Sequence, residues 1–586
     1  MKTLLVAINA KYIHSNPAIY SLKAYSKDIT PDIVLCEYTI NNLIDEIVDD
    51  IYSKKPDFIG FSTYIWNVTY VLKAARELKK LLPQCQIWLG GPEVSYDAYD
   101  RLKENTFIDG IMRGEGEEIF RNLMMYYCGI TDKNEAYFNL SDINGITYRD
   151  GNDIKETSAA ELMNMSDIPF IYEDIKDFEN RIIYYESSRG CPFSCSYCLS
   201  SVDKSVRFRS LEKVICELKV FIENKVPQVK FVDRTFNCRK SHAMEILKFI
   251  GENDNGITNF HFEVAADLID DEQIELIKTF RPGLIQFEIG VQSVNLRTID
   301  EINRKMNLEA VKDVVRRINE GKNVLQHLDI IAGLPYETLE DFKRSFNEVY
   351  DMNPAELQLG FLKILSGSMM KEKSEGYGIV YRDYPPYEVL YTKWINHDEI
   401  CELKAVEEMV EVYYNSMQYP NSIRYAKQFF DTAYDMYFEL AKYYDSLEHI
   451  KGSKYSRADR YNIFYEFIKK YCEDEKQLEV FEEILVFDIY LRENVRKRPA
   501  FAKDLKQSKD ELYSIYRCLE KDKKYKEQML HVEKFCYDIY GFANDGKLTE
   551  RDNYIVFNYG NRNPIDNSAY VEEVWHQKES LKYLED

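Results

Sequence analysis

No apolar run in this chain approaches the ~20 residues needed to cross a bilayer. The opening MKTLLVAINAKYIHS holds one early lysine and an apolar stretch too short for a secretory signal core. It reads as a first core strand, and the chain as cytosolic, with no membrane partner. Basic charge is in deficit: 76 Lys and Arg against 99 Asp and Glu give a formal net charge of −23. That weighs against broad, sequence-independent nucleic-acid binding, which needs a cationic footprint. With 24 Gly and 16 Pro the composition is neither collagenous nor disordered. Cysteine is sparse, 12 in 586 residues, which excludes a small disulfide scaffold. Nine are scattered (Cys36, Cys85, Cys128, Cys216, Cys238, Cys401, Cys472, Cys518 and Cys536) and read as reduced, buried small hydrophobes. Aromatics are plentiful, with 46 Tyr and 31 Phe, many in the last third. The length suggests about three or four domains.

Residues 1–130 alternate strand and helix patterns. Runs beginning at Leu4 (LLVAIN), Asp57 (DFIGFSTYI), Gln86 (QIWLGG) and Ile108 (IDGIM) read as four buried strands. Val68, Val71, Leu72, Ala75, Leu78 and Leu82 fall at helical spacing, and Pro83 stops that helix. The alternation predicts a doubly wound, Rossmann-like parallel sheet, whose ligands bind outside the carboxyl ends of the strands. Three turns fall at that edge: Ser62, Thr63 and Tyr64; Gly90, Gly91, Pro92 and Glu93; and Gly114, Glu115 and Gly116. Residues 131–181 read as a connector with a hairpin turning at Asp150 and Gly151. From 182 to 380 the strand and helix patterns recur every ~25–40 residues, which predicts a partial (β/α) barrel of TIM type. Residues 381–586 become helical, acidic and Tyr-rich, with amphipathic segments at 424–444, 459–472 and 477–492 and one strand-like stretch, NYIVFNYG. The class is α/β with a helical C-terminal domain.

RGCPFSCSYCLSS sets Cys191, Cys195 and Cys198 in a C-x-x-x-C-x-x-C arrangement directly after a strand pattern. Three thiolates on one short loop can ligate three irons of a 4Fe–4S cluster. The fourth iron then lacks a local protein ligand, which suits a cluster that binds a small molecule. A zinc site would need a fourth ligand, and the nearest histidine, His242, is too remote for spacing alone to supply it.

With this motif the chain resembles radical S-adenosylmethionine (SAM) enzymes that carry an N-terminal cobalamin-binding domain, in the subgroup with a C-terminal domain of unknown function. The resemblance is most specific over residues 182–370 and continues on successive strand patterns. It implies that Tyr197 lies beside the SAM adenine and that Glu263, in FHFEVAAD, lines the SAM site. It implies that Gln292, in FEIGVQS, and Asp329, in DIIAGLP, contact the ribose, that Ile331 contacts the adenine, and that Arg304, in INRKM, pairs with the carboxylate. A guanidinium suits a carboxylate, and Asp and Gln acceptors suit a diol. Asp233 and Arg209 fall at recurrent positions near the site. The implied chemistry is reductive cleavage of SAM to methionine and a 5′-deoxyadenosyl radical, which abstracts hydrogen from a substrate. In the largest known subset methylcobalamin then supplies a methyl group. The implied reductant is a flavodoxin or ferredoxin.

Residues 1–125 resemble the family's cobalamin domain at GFSTYIWN, LGGPEVSYD and RGEGEE, which makes the three turns above candidate cofactor contacts. The D-x-H-x-x-G of mutase-type cobalamin proteins is missing: His14 has Tyr12 two residues before it and Pro17 three after. Cobalt is therefore expected to lack a histidine ligand from this motif. A competing reading is a tRNA methylthiotransferase, with Cys36, Cys85 and Cys128 for a second cluster, although the N-T-Y-G-C opening and a basic C-terminal barrel are absent. A non-enzymatic cobalamin sensor is another, but it leaves the cysteine loop and Arg304 unexplained. His397, His449 and His531 read as solvated or satisfied. No side chain is assigned as catalytic, and substrate and product are not legible.

Overall fold

The computed structural model describes every residue except Pro31, 131–138, 448–454, 564–565, 578–579 and 584–586; His449 lies outside the described residues. The chain divides into two compact units, residues 1–341 with 360–397, and residues 342–359 with 398–586.

The first unit opens with strands β1 (Thr3–Asn9), β2 (Ile33–Thr39), β3 (Phe58–Ser62), β4 (Gln86–Gly90), β5 (Gly110–Met112), β6 (Ile146–Asp150) and β7 (Asp153–Glu156). They form one sheet in the order 2-1-3-4-5-6-7. β1 to β5 are parallel, and the β6–β7 hairpin joins β5 antiparallel. Successive strand residues face opposite sides. Leu4, Val6 and Ile8 pack with Ile59, Phe61, Ile87 and Leu89 against helices Ile44–Ser53 and Val68–Leu81. Leu5, Ala7, Phe58 and Trp88 pack against helices Pro17–Ser26 and Gly116–Cys128. Burial on both faces is why β1 and β3 read as unbroken apolar runs. β2 is a fifth parallel strand beyond the four expected. It is an edge strand buried only at Ile33 and Cys36, so it carries no such run.

A second sheet follows in the chain. β8 (Ile183–Tyr185) leads to β9 (Ser188–Arg189), which pairs with β10 (Arg207–Phe208) across the cysteine loop. β11 (Gln228–Phe231), β12 (Asn259–Val264), β13 (Ile285–Gln292), β14 (Leu325–Ala332) and β15 (Glu356–Phe361) complete a sheet in the order 15-14-13-12-11-8. β8 and β11 to β14 are parallel. Helices such as Leu211–Glu223 and Leu308–Glu320 alternate with the strands, giving the partial barrel. One sheet face is apolar, with Phe287, Ile289, Leu328 and Ile330 buried. The other carries Lys230, His261, Glu263, Glu288 and Asp329. A two-stranded hairpin, β16 (Val380–Tyr381) with β17 (Val389–Tyr391), ends the unit.

From residue 398 the second unit is helical up to residue 521 and then turns to strands. The stretch 424–444 is two helices, Pro420–Ala426 and Ala433–Ser446, because the Thr432 side chain accepts from the Asp435 amide and starts a new helix. Helix Glu475–Arg492 is buried on most sides, and its fully buried Asp488 accepts from the backbone and side chains of Asn421 and Ser422. The strand-like NYIVFNYG lies in β19, and the end of the helical region is a whole sheet: β18 (Leu530–Tyr537), β19 (Glu550–Arg562), β20 (Ala569–Gln577) and β21 (Ser580–Tyr583) pair antiparallel. Charged residues interrupt the apolar ones along these strands, including the buried Glu533 and Glu573, which masks them as runs. His531 stacks on Tyr490 with centroids 3.6 Å apart. Among the described residues no helix is long and apolar enough to cross a membrane.

Candidate functional site

The cysteine loop is held by backbone bonds from outside it. Gly190 has φ +97°, and a Cβ there would lie 2.5 Å from the Ser205 carbonyl oxygen, so only glycine fits. The Cys191 amide donates to the Asp203 carbonyl (3.2 Å), the Ser196 amide to the Ile302 carbonyl (2.8 Å), and the Met370 amide to the Ser196 carbonyl (2.8 Å). Beneath the loop, fully buried Asp233 accepts from the Ser187 amide (2.9 Å) and from the Ser187 and Ser188 hydroxyls (2.6 Å each). Burial raises Asp233 to about 6. His242 is occupied by the Ser187 hydroxyl at 3.2 Å. Arg209 pairs with Glu217 at 2.6 Å and donates to the Ile168 carbonyl, tying residues before β8 to the barrel. The Cys191 thiol faces the Thr235 hydroxyl at 3.7 Å, and the Cys195 thiol accepts from Arg304 Nη1 at 3.8 Å. Among the described residues no three His, Cys, Asp or Glu side chains are already drawn into a metal-binding group. The three thiols do share one fixed loop, and each has a single χ1 torsion to redirect.

Opposite Cys195 lies a polar cradle. β13 carries a bulge between Gly290 and Gln292, and Gln292 adopts φ +72°. The bulge re-aims that side chain. A Cβ on Gly290 would sit 2.1 Å from Gln292 Nε2 and 3.4 Å from Arg304 Nη2, so glycine makes the room for both. Arg304 donates to the Gly290 carbonyl, and its Nη1 reaches the Tyr197 hydroxyl at 3.4 Å. Gln292 Oε1 and Arg304 Nε are buried without a hydrogen-bond partner. Buried polar atoms are rarely left so. An acceptor and a cationic donor are thus left open beside the three thiols. This fits a ligand offering both hydroxyl and carboxylate. Asp329 is the strand partner of Gly290, and Ile331 follows on the same face of β14.

The turns of the first sheet meet the same loops. In the order 2-1-3-4-5 the crevice between β1 and β3 is the switch point where ligands bind. Ser62 and Thr63 are buried there, and Ser62 Oγ accepts from Asn16 Nδ2 at 2.7 Å. What the turn presents is Tyr64 and Trp66, stacked 4.4 Å apart at 7°, with Trp66 43% exposed. Trp66 escaped the sequence reading, although it stands within the same GFSTYIWN turn. Tyr64 lies near Arg189 and Arg234, and Tyr96 near Cys198. The Tyr96 ring covers Gly367, where a Cβ would be 2.2 Å from Tyr96 Cγ. Gly91, at φ +118°, approaches the Thr63 carbonyl so closely that a Cβ would lie 2.3 Å from its oxygen. Pro92 is exposed, whereas Glu93 is buried against Arg101 (3.0 Å) and Tyr387. Glu115, between Gly114 and Gly116, is taken by Arg207 Nη1 (3.0 Å) and the Met163 amide (2.9 Å). Glu117 is taken by Arg189 and Ser21, both at 3.0 Å. That turn is a charged joint to the barrel. His14 Nδ1 lies 2.6 Å from the Tyr184 hydroxyl at the same joint.

Residues 185–349 match the family model of the radical SAM superfamily, and residues 3–124 that of the B12 binding domain. The chain carries a radical SAM domain behind a B12 binding domain. Residues 375–557 match a protein of unknown function, DUF4080. The anaerobic magnesium-protoporphyrin IX monomethyl ester cyclase of Rubrivivax gelatinosus is 25% identical over 340 residues, 55% of this chain and 59% of that protein. The cobalamin-dependent radical SAM methyltransferase TokK of Streptomyces tokunonensis is 25% identical over 361 residues, 57% of this chain and 51% of TokK. The chain spans about half to two thirds of the length of the curated relatives it matches. Among solved structures, OxsB with aqua-cobalamin and SAM aligns over 83% of both chains at 15% identity and TM-score 0.56. TsrM from Kitasatospora setae, with cobalamin and a [4Fe-4S] cluster, covers 66% of this chain and 82% of its own at 16% identity and TM-score 0.54. These likenesses show the fold. The cofactors of the two domains are a 4Fe–4S cluster with SAM, and cobalamin.

Inside the radical SAM domain two carboxylates are pushed apart. Glu288 is paired with His261 (3.1 Å) and Lys230 (3.1 Å), which hold it down to about 2. Its cross-strand neighbour Glu263 is raised to about 7, first by burial, with Glu288 and Asp233 adding to this and Arg234 and Lys230 opposing it. The folded chain keeps the Glu263 proton where the unfolded chain, at 4.5, has lost it. Stability therefore falls as pH rises from 4.5 through about 7. Glu263→Gln should stabilise the cofactor-free protein at pH 8 by about 1–3 kcal/mol and leave it unchanged below pH 4.5. Melting midpoints at the two pH values check this, and an equal gain at both would refute it. In the B12 binding domain, Cys36 lies on edge strand β2, and Cys85 precedes β4, beyond β1 and β3. Cys128 ends the helix Gly116–Cys128. The three thiols thus sit on separate elements, unlike Cys191, Cys195 and Cys198, which share one loop.

Proposed function

We propose that this chain is a cytosolic, cobalamin-dependent radical SAM enzyme that transfers a methyl group to a substrate radical, reduced by a flavodoxin or ferredoxin. What supports the reading most is the pairing of a three-thiol loop with buried, open polar atoms on Gln292 and Arg304. Cys191, Cys195 and Cys198 would hold three irons of the cluster. Arg304 would take the SAM carboxylate, Gln292 and Asp329 the ribose, and Tyr197 and Ile331 the adenine, with Glu263 lining the site. Tyr64, Trp66 and the turn from Gly90 to Glu93 would contact cobalamin. Once bound, these groups supply reductive SAM cleavage and a transferable methyl, and the protein supplies binding, orientation and electrostatics. The barrel walls and the first sheet's turns shield the reacting centre from water. Methyl transfer follows TokK and the other relatives named as methyltransferases.

Protein reconstituted anaerobically with iron, sulfide and cobalamin, then given SAM and dithionite, should release 5′-deoxyadenosine and methionine. No SAM cleavage by fully loaded protein would refute the proposal. His14 should not touch cobalt, since its ring is bound to Tyr184. The cobalamin-loaded protein should therefore show cobalt without nitrogen coordination, and His14→Ala should leave that spectrum unchanged. A spectral shift in the variant would assign the histidine to the metal.

A further inference from the structure

A pocket of about 580 Å³ opens where the first residues of the DUF4080 region meet the radical SAM domain. Three rings line it. Trp394 lies 4.4 Å from Tyr336 and 6.1 Å from Tyr377, centroid to centroid, tilted by 46° and 55°. Tyr336 is fixed at φ +61° by an Asn295 Nδ2 bond to its carbonyl, and Arg297 covers one ring face at 3.8 Å. The Tyr377 hydroxyl donates to Glu301, which stands at the pocket wall.

We propose that this pocket binds an alkylammonium group. Ring faces are electronegative and attract a desolvated cation, tryptophan most strongly. Glu301 sets a carboxylate beside them, and Glu372 and Glu375 also line the pocket. Of the two lysines on the lining, Lys393 is engaged by the Gly376 carbonyl at 2.6 Å. The other already illustrates the preference: the Lys373 ammonium rests 3.7 Å from Glu301 Oε1 and 6.0 Å over the Tyr377 ring. Its side chain is 42% exposed, so it can swing out on its flexible stem and yield the place to a better-fitting cation. Glu301 precedes Arg304 by three residues and Tyr336 follows Ile331 by five, so a molecule anchored here lies beside the carboxyl-edge loops.

The test is a titration of the full, cofactor-free chain with choline and with its neutral isostere 3,3-dimethylbutan-1-ol, followed by ligand-detected NMR. Choline should bind at least about tenfold more tightly than the alcohol. Glu301→Gln should weaken choline about tenfold, and Lys373→Met should tighten it by removing the resident competitor. Trp394→Leu should abolish binding, with Tyr336→Leu as a second ring variant and melting midpoints to establish that each is folded. No choline binding, equal affinity for the neutral alcohol, or binding that survives both ring variants would overturn the proposal.

Discussion

Replacing Cys191, Cys195 and Cys198 together with alanine should eliminate cluster-bound iron, the broad visible absorption of reconstituted protein, and all cleavage of SAM. The expectation follows from chemistry and backbone together. In the proposed arrangement these three thiolates would be the cluster's protein ligands. The loop's shape does not depend on the thiols. It is set by Gly190 and by the backbone bonds of Ser196 to Ile302 and Met370. The triple variant should therefore melt close to wild type when both are cofactor-free, which separates loss of the cluster from loss of the fold. Single variants should retain part of the iron, because two thiolates still anchor it, yet lose SAM cleavage. Full iron content in the triple variant would sink the assignment.

Arg304→Ala should weaken SAM binding about ten- to a hundredfold, the effect of losing one charge-assisted hydrogen bond of roughly 1.5–3 kcal/mol. Iron content should stay near wild type, since the 3.8 Å contact to Cys195 is weak. The guanidinium is held in place by the Gly290 carbonyl and the Tyr197 hydroxyl, leaving Nε buried and open. Gly290→Ala should also weaken SAM binding with neither ligand-binding side chain replaced, because its Cβ would displace Gln292 Nε2. Equilibrium binding to the cluster-loaded protein measures both variants. Unchanged affinity in Arg304→Ala would move the carboxylate elsewhere. Arg297 is a poor substitute, stacked on Tyr336 at 3.8 Å.

Features encoded by short-range spacing were legible in the sequence. The cysteine triplet has only six residues between its outer members. β1 and β3 announce themselves because both faces are buried. β2, buried at only two positions, and β18 and β20, interrupted by charged residues, show no such run, whereas the buried Ile555, Val556 and Phe557 of β19 do in NYIVFNYG. The turn from Ser62 to Tyr64 was found, but not that Ser62 and Thr63 are buried and that Tyr64 and Trp66 are what it presents. A turn's sequence does not say which side chain the packing beneath it will turn outward.

The sequence alone determined the α/β class and the order of the SAM-site candidates along the strands, since hydrophobic period and covalent spacing are properties of the chain itself. The tertiary structure alone decided which candidates remain open and which are consumed. Glu115 and Glu117 are taken by Arg207 and Arg189, 92 and 72 residues away. Gln292 is turned by a bulge and a left-handed backbone that no residue pattern signals. Glu263 holds its proton near neutral pH through burial, with Glu288 across the strand pair adding to the shift, and Tyr336, Tyr377 and Trp394 gather around one pocket from separate segments. Charge, protonation and cavity shape are set by atoms distant in the chain but adjacent in space, and only folding brings those atoms together.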